Sequence, residues 1–271
     1  MKEKHVFAGN NTSHGFFSYF NYTFNPEDAN HIYILKGGPG VGKSSFMKKF
    51  VARIIKKGYE IEYIHCSSDN DSLDGILIPK LKIAFVDGTA PHTIDPKIPG
   101  VVDEIINLGI YLDNKKLEED KREIMQINKK KSNIYKSAYR YLECAGLIFE
   151  EIQSIYDEVT YYNKFWDLCK EVSIKLFPNN LQEYRKQQLG KLRKLFSEAY
   201  TANGYIEYTN FLCEGNKIWA INGKNRNASS KLLDFIVKES LKRGYDVEGY
   251  YHPLIPEKLQ HVLIPELNTI I

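Results

Sequence analysis

Cysteine is scarce and scattered. Cys66, Cys144, Cys169 and Cys213 stand apart, with no C-x-x-C pair. That spacing argues against a zinc site or a disulfide framework, and reduced thiols in a cytoplasmic protein are the expectation. Net charge is also small, +3 over 271 residues. Nothing in that balance points to nucleic acid or to a membrane surface, and neither is expected as a partner. No apolar run approaches membrane-spanning length, and the opening MKEKHVFAGNNTSHGFF has no apolar core of leader length. Proline is absent from Val101 to Phe177 and glycine is scarce there, which leaves room for long helices. What remains is a chain with 43% hydrophobic and 26% charged residues, enough to bury one large core or two modest ones.

Against that background one stretch stands out, Ile32–Ser45, IYILKGGPGVGKSS. Ile32, Tyr33, Ile34 and Leu35 give a short buried-strand signal. Gly37-Gly38-Pro39-Gly40-Val41-Gly42-Lys43-Ser44 then matches the phosphate-binding pattern G-x-x-x-x-G-K-[ST] in full, with Ser45 following. Phe46, Met47, Phe50, Val51, Ile54 and Ile55 continue at helical spacing up to Gly58. A strand, a glycine loop and a helix in that order is the context the motif requires. The glycines let successive N–H groups turn toward phosphate oxygens, and the helix N-terminus adds its positive end. In this pattern Lys43 reaches the β- and γ-phosphates of a nucleotide, and the Ser44 hydroxyl is a Mg²⁺ ligand.

The rest of the chain can be laid around this loop. Phe7–Tyr22 reads as an irregular segment with a short helical turn or edge strand. Glu60–Cys66 reads as a second strand, followed by a polar loop over Ser67–Gly75 at its carboxyl end, where open α/β sheets bind ligands. Lys82–Asp87 (KIAFVD) has the form of a Walker B strand, whose terminal Asp87 holds Mg²⁺ directly or through water. Thr89–Gly100, with three prolines, should be a loop over the nucleotide side. Val101–Leu112 fits a helix, Lys115–Phe177 fits two or three amphipathic helices, and Asn179-Asn180 should cap another helix running to about Ala199. Lys129–Lys131 and Lys191–Lys194 read as solvated helix faces rather than nucleic-acid patches. Tyr135, Tyr139, Tyr141 and Tyr156 are expected to pack.

Self-similarity reorganises the C-terminal third. Ile32–Phe85 aligns without a gap on Ile218–Ile271 at an offset of 186. Lys57-Gly58-Tyr59-Glu60-Ile61-Glu62 lies on Arg243-Gly244-Tyr245-Asp246-Val247-Glu248, and Ile76-Leu77-Ile78-Pro79 on Val262-Leu263-Ile264-Pro265. The stretch from Phe7 to Phe16 echoes Phe196 to Tyr205 at an offset three residues larger. The second copy has lost the loop chemistry, because Arg226, Ala228 and Ser229 stand opposite Gly40, Gly42 and Lys43. Ile271 aligns with Phe85, so a counterpart of Asp87 is not reached and an exposed sheet edge is expected.

These residues carry a resemblance. The GGPGVGKSS loop, His65-Cys66-Ser67-Ser68-Asp69, Asp87-Gly88-Thr89-Ala90-Pro91-His92, the helical middle and Arg243–Glu248 together resemble a bacterial family of tandem P-loop ATPase-like proteins, over nearly the whole chain. Members of that family carry two intact loops and extend further, and this sequence departs on both counts. The resemblance implies ATP binding and hydrolysis and names no substrate.

The resulting expectation is an α/β fold: a P-loop NTPase three-layer sandwich with a mainly parallel sheet, an inserted helical subdomain and a second, incomplete P-loop-like unit. The boundaries fall at 1–113, 114–200 and 201–271. Lys43, Asp69 and Asp87 are the expected catalytic residues, with Asp69 orienting the nucleophile. Asp71, Asp74, His65 and Asp95 are alternatives, and His92 could contact base or ribose. Gly88 after Asp87 leaves no adjacent catalytic glutamate. ATP is preferred to GTP because no N-K-x-D signal is present. A nucleotide and Mg²⁺ are the implied ligands, together with a small-molecule or protein partner the sequence does not specify; a homo-oligomer is left open. Three activities fit: an ATPase that moves its helical segment, a kinase with that segment as a lid and Asp69 as base, and a nucleotide sensor.

Overall fold

The computed structural model describes residues 3–23, 25–90, 93–178 and 188–271. The first part of the chain runs β1 (Glu3–Phe7), the hairpin β2 (Gly9–Thr12) and β3 (Gly15–Ser18), and a helical turn α1 (Phe20–Thr23). It continues through β4 (His31–Lys36), α2 (Lys43–Ile55), β5 (Ile61–His65), β6 (Leu73–Ile78), β7 (Ile83–Asp87) and β8 (Asp103–Asn107). Six of these strands make one sheet in the order β1-β5-β6-β7-β4-β8. Only β6 runs against the others. The fold is therefore mixed α/β with a mainly parallel first sheet, and β4 and β7 are immediate neighbours with Leu35 opposite Asp87.

Three helices follow, α3 (Asn114–Glu119), the 38-residue α4 (Lys121–Glu158) and α5 (Tyr162–Leu176). The chain then runs β9 (Leu192–Leu195), the hairpin β10 (Glu198–Thr201) and β11 (Gly204–Glu207), and α6 (Thr209–Cys213). It ends with β12 (Lys217–Ile218), α7 (Arg226–Lys242), β13 (Val247–Tyr251), β14 (Leu259–Ile264) and β15 (Thr269–Ile270). The second sheet, β12-β15-β14-β13-β9, has the order of the first, and among the described residues no strand pairs with the outer side of β12. Lys217 and Ile218 are exposed there. Correspondence extends to single bonds: the Thr12 hydroxyl donates to the Gly15 carbonyl and the Thr201 hydroxyl to that of Gly204, both at 2.9 Å.

The layering departs from a three-layer sandwich. Each sheet carries α2 or α7 on one face and turns its other face toward the second sheet. Val6, Ile32, Ile34, Ile64 and Val86 from the first meet Leu195, Tyr250, Leu263 and Ile270 from the second in one buried cluster. The order of layers is helix, sheet, sheet, helix. At the end of this inter-sheet layer Lys4 and Arg193, which occupy equivalent strand positions, cross over to pair with Glu248 and Glu62. Nearby, Phe7 and Phe196 exchange backbone hydrogen bonds at 2.8 and 2.9 Å. The two units are thus joined about a local two-fold arrangement.

Several local expectations change. Val101–Leu112 is not a helix: the Asp103 carboxylate accepts the N–H groups of Lys97 and Ile98, both at 2.7 Å, and sets the chain up to pair as β8 along β4. The β-branched pair Ile105-Ile106 suits that strand better than a helix. The loop after β5 closes at Ser72, so Leu73–Gly75 belong to β6. Phe7–Tyr22 is a regular hairpin followed by a helical turn, preceded by a strand the periodicity did not reveal. The helix expected to run to Ala199 begins at 179–187, outside the described residues; from Leu192 the chain is strand, with β9 in the second sheet and β10 in its own hairpin with β11. Lys191–Lys194 form no solvated helix face. Lys191 pairs with Asp28, Arg193 is buried among carboxylates, and Lys194 lies over the Tyr22 and Tyr251 rings. Tyr141 is exposed, whereas Tyr135, Tyr139 and Tyr156 are partly buried.

Candidate nucleotide site

The loop between β4 and α2 is built by glycine geometry. Gly40 and Gly42 have φ of 80° and 97°, in the left-handed region where a Cβ is strained, and Gly42 sits at the start of α2. Gly37, at φ 151°, is constrained by space as well, since a Cβ there would come within 2.8 Å of Val41 Cγ1 and 3.2 Å of the Gly109 nitrogen. Pro39 and Gly40 form the exposed tip.

Lys43 is the first residue of α2 and is 8% exposed. Its ammonium donates to the carbonyls of Gly37 (2.8 Å) and Gly38 (3.1 Å) and stands 3.6 Å from Asp87 Oδ2. Asp87 is brought there by the β4–β7 pairing. Its Oδ1 accepts from the Thr89 N–H at 2.9 Å and from the Thr89 hydroxyl, which leaves Oδ2 turned toward Lys43. Gly88 is needed behind it, because a Cβ would meet Ile34 Cγ2 at 2.4 Å. Ser44 Oγ accepts the Leu73 N–H at 3.0 Å and retains a second lone pair. Ser45 is exposed on the next turn. Lys36 is occupied elsewhere: it donates to the carbonyls of Gly88 and Ile94, both at 2.7 Å, and pairs with Asp95, fixing the loop after β7.

The structure separates the other acidic and histidine candidates. Asp69 caps its own turn, accepting the Ser72 hydroxyl at 2.7 Å and the Asp71 N–H at 3.3 Å. Both of its oxygens serve the loop, so its placement is that of an Asx turn. Asp71 is exposed. Asp74 is buried on β6, next to Gly75, which pairs with Val86 of β7, and the β5–β6 register shifts at this point. Asp74 shares a site with Cys66, whose thiol burial and the Asp74 charge push up to about 12. His65 is lowered to about 4 by burial; it faces the carbonyl of Asn70 at 3.1 Å and His5 at 2.8 Å, and is neutral near pH 7. His92 lies outside the described residues.

The equivalent position in the second unit looks different. Ser230 Oγ accepts the Leu259 N–H at 3.0 Å, the same bond at the same repeat position as Ser44 and Leu73. The N-terminus of α7, however, is filled from α4. Gln153 Oε1 accepts the Arg226 N–H at 2.6 Å. Asp157 takes the Asn225 and Asn227 side-chain amides at 2.9 and 2.7 Å and the Tyr162 hydroxyl at 3.1 Å. Partial burial would raise the Asp157 carboxyl, but these hydrogen bonds and the Lys231 charge hold it below the usual range. Gln153 thus takes a backbone N–H at the start of α7, and Asp157 takes the side-chain amides beside it. Sequence reasoning identified the loss of the loop glycines and the lysine. It missed Gln153 and Asp157, because nothing local marks a polar residue on a long helix as a plug for a distant loop.

Comparison of the chain with protein-family models, with curated proteins and with solved structures finds no match.

Proposed function

We propose that the chain is a P-loop NTPase that binds ATP with Mg²⁺ and hydrolyses it at the Gly37–Ser45 loop, with the second unit as a non-catalytic scaffold. The observation that carries this reading is the position of Lys43. Its ammonium rests on the loop carbonyls at the start of α2, paired with Oδ2 of a strand-terminal aspartate. A triphosphate entering the loop would draw Lys43 off these carbonyls and onto its own oxygens, where a cation is most useful as charge develops. Ser44 Oγ and Asp87 Oδ2 are hard oxygen donors from adjoining elements, the donor type that suits Mg²⁺. Bound there, the ion would neutralise charge on the β- and γ-phosphates. A Mg²⁺ held mainly by one or two protein oxygens and by phosphate needs no all-protein cage.

The nucleophile-orienting role moves in this reading from Asp69 to Asp74. Asp69 is committed to its turn, whereas Asp74 is buried on β6 beside Gly75, the partner of Val86 just before Asp87. A route for coupling exists as well. The Tyr139 hydroxyl on α4 donates to Asn11 Oδ1 at 3.0 Å, and the Asn11 amide donates to the carbonyls of Ser67 (3.1 Å) and Tyr200 (3.0 Å). One asparagine therefore joins the loop after β5, the second unit and the long helix. α4 is seated on β2, β3 and α7, which favours a lever over a substrate lid.

The test is phosphate release from ATP–Mg²⁺ with no added acceptor, for wild type and Lys43→Ala. Turnover reduced at least about 100-fold in the variant is expected, the scale of losing a key transition-state charge. Turnover that requires an added hydroxyl acceptor would make the protein a kinase. Binding without turnover would make it a sensor.

A further inference from the structure

Beside the plugged N-terminus of α7 the second unit holds a cavity of about 730 Å³, the size of a small-molecule site. Ser229, Gln260 and His252 line it, the repeat counterparts of Lys43, Asp74 and Cys66. The cavity thus lies at the repeat position of the nucleotide loop, and its charge is inverted. The lysine is gone and a carboxylate has come in. Glu198 stands where the first unit has Gly9, and Tyr205, whose hydroxyl donates to it, stands where the first unit has Phe16. Gly9 has no room for a side chain, since a Cβ would meet the Phe16 ring at 2.5 Å.

Glu198 is the feature that calls for a ligand. Its side chain is 4% exposed. Its oxygens accept from the Tyr205 hydroxyl, from the Gln260 amide at 2.7 and 2.8 Å, and from the Thr209 hydroxyl at 3.4 Å. Burial alone would raise the carboxyl, but His261, Tyr205 and Gln260 hold it below the usual range, so it is ionised near pH 7. Among the described residues no lysine or arginine pairs with it, and His261 Nε2, 3.5 Å away, is charged only when protonated. His252 is no counterion either. Its Nδ1 accepts the N–H groups of Leu254 and Ile255 at 3.1 and 3.2 Å, and burial lowers it to about 4. A buried charge without a counterion is costly, and a cation entering the cavity relieves that cost. A carboxylate only accepts, so Gln260 must turn its NH₂ toward Glu198, and its Oε1 is left buried with no partner among the described residues. The cluster lacks a positive charge and an N–H donor, and an ammonium supplies both.

Trp219, Phe149, Tyr200 and Tyr205 give the cavity aromatic walls, with the Tyr200 and Tyr205 rings 5.4 Å apart. Such faces accept an apolar body and favour a cation near them. We propose that this cavity binds a small organic amine, its ammonium on Glu198 and its apolar body against Trp219 and Tyr205. Arg226 and Lys258 also line the cavity, Lys258 over the Phe149 ring at 5.3 Å, and neither pairs with Glu198. They suit an acid group on the same molecule, so a free amine and an amino acid share the required chemistry. The site is separate from the Gly37–Ser45 loop and does not rest on its reading as an ATPase.

The test is calorimetric titration of the full chain with tryptamine, tryptophan and spermidine, and with indole-3-propionate, which has an aromatic body and no amine. The expected result is one site per chain for at least one of the three amines, and binding of indole-3-propionate at least about tenfold weaker. Glu198→Gln keeps the shape and removes the charge, and should weaken the amine at least about tenfold. Ala220→Trp, at an exposed position lining the cavity, should block it while leaving Glu198 in place. If circular dichroism shows that Glu198→Gln does not fold, Ala220→Trp and the indole-3-propionate comparison carry the test. Tryptophan binding more tightly than tryptamine, with the advantage lost in Arg226→Ala, would make the ligand an amino acid; the reverse order would make it a free amine. No binding of any of the three at about 1 mM, the weak end of specific recognition, overturns the inference. So does indole-3-propionate binding as tightly as the amines, or amine binding that survives a folded Glu198→Gln or Ala220→Trp.

Discussion

The two units of this molecule share strand order, helix placement and even the hydroxyl bond from Ser44 or Ser230 to the start of the following antiparallel strand. They differ at one helix N-terminus. In the first unit, glycines at positive φ build a loop on whose carbonyls the Lys43 ammonium rests, beside Asp87. In the second, Gln153 and Asp157 of α4 take the N–H and amide donors for themselves. That helix N-terminus is an attachment point: its donors anchor α4. A shared fold carries no function by itself; what fills the loop does.

The sharpest way to break the pairing of units is at the buried charges between them. Glu62 lies beside Arg193 and Lys4. Burial alone would raise its carboxyl, but the two cations hold it down to about 2. Arg193→Met leaves Glu62 and Glu248 sharing one lysine, and a loss of about 3–5 kcal/mol is expected in denaturant unfolding, as for a broken buried pair. The stabilisation exists above the unfolded carboxyl range near pH 4.5 and should fade as pH falls toward 2.

Removing the plug is the next largest effect. Asp157→Ala strips partners from Asn225, Asn227 and Tyr162 at once. It should cost about 1–2 kcal/mol, the scale of a lost charged cap, and loosen the end of α4 in hydrogen exchange. It should create no second nucleotide site, because Ser229 stands where a lysine is needed. A matched pair sharpens the comparison. Ser44→Ala and Ser230→Ala each delete the same bond, and each should cost about 1 kcal/mol. Only Ser44→Ala should weaken the Mg²⁺ dependence of turnover, which a titration of the ion would read.

Acid offers a smaller and more diffuse probe. Burial lowers His65 and His252 to about 4, one in each unit, from the usual 6.5. Below pH 6.5 the unfolded chain takes up protons that the folded chain refuses, so stability falls with pH between 6.5 and 4. By pH 5 each should cost about 1–2 kcal/mol, visible as a Tm that falls on acidification less steeply in His65→Asn.

Much of this was legible before the structure. The loop between Ile32 and Ser45 announces itself because close backbone approach admits few residues. The repeat shows because turn glycines such as Gly58 and Gly244 keep their register. Other features depend on partners distant in sequence. The strand Asp103–Asn107 exists because Asp103 and the edge of β4 receive it, and a local period cannot see either. Asp69 and Asp74 look equally plausible in a polar run, and only the turn bonds of the one and the burial of the other on β6 separate them. The layering was misread for a related reason: a buried strand shows that its face is covered, and not whether a helix or a second sheet covers it.

The most direct measurement is the stoichiometry of a non-hydrolysable ATP analogue with Mg²⁺, by calorimetric titration of wild type, Lys43→Ala and Asp157→Ala. One site per chain, lost in Lys43→Ala and unchanged in Asp157→Ala, is the predicted result. Two sites in the wild type, or binding that survives Lys43→Ala, would contradict the assignment of an open first loop and a plugged second one.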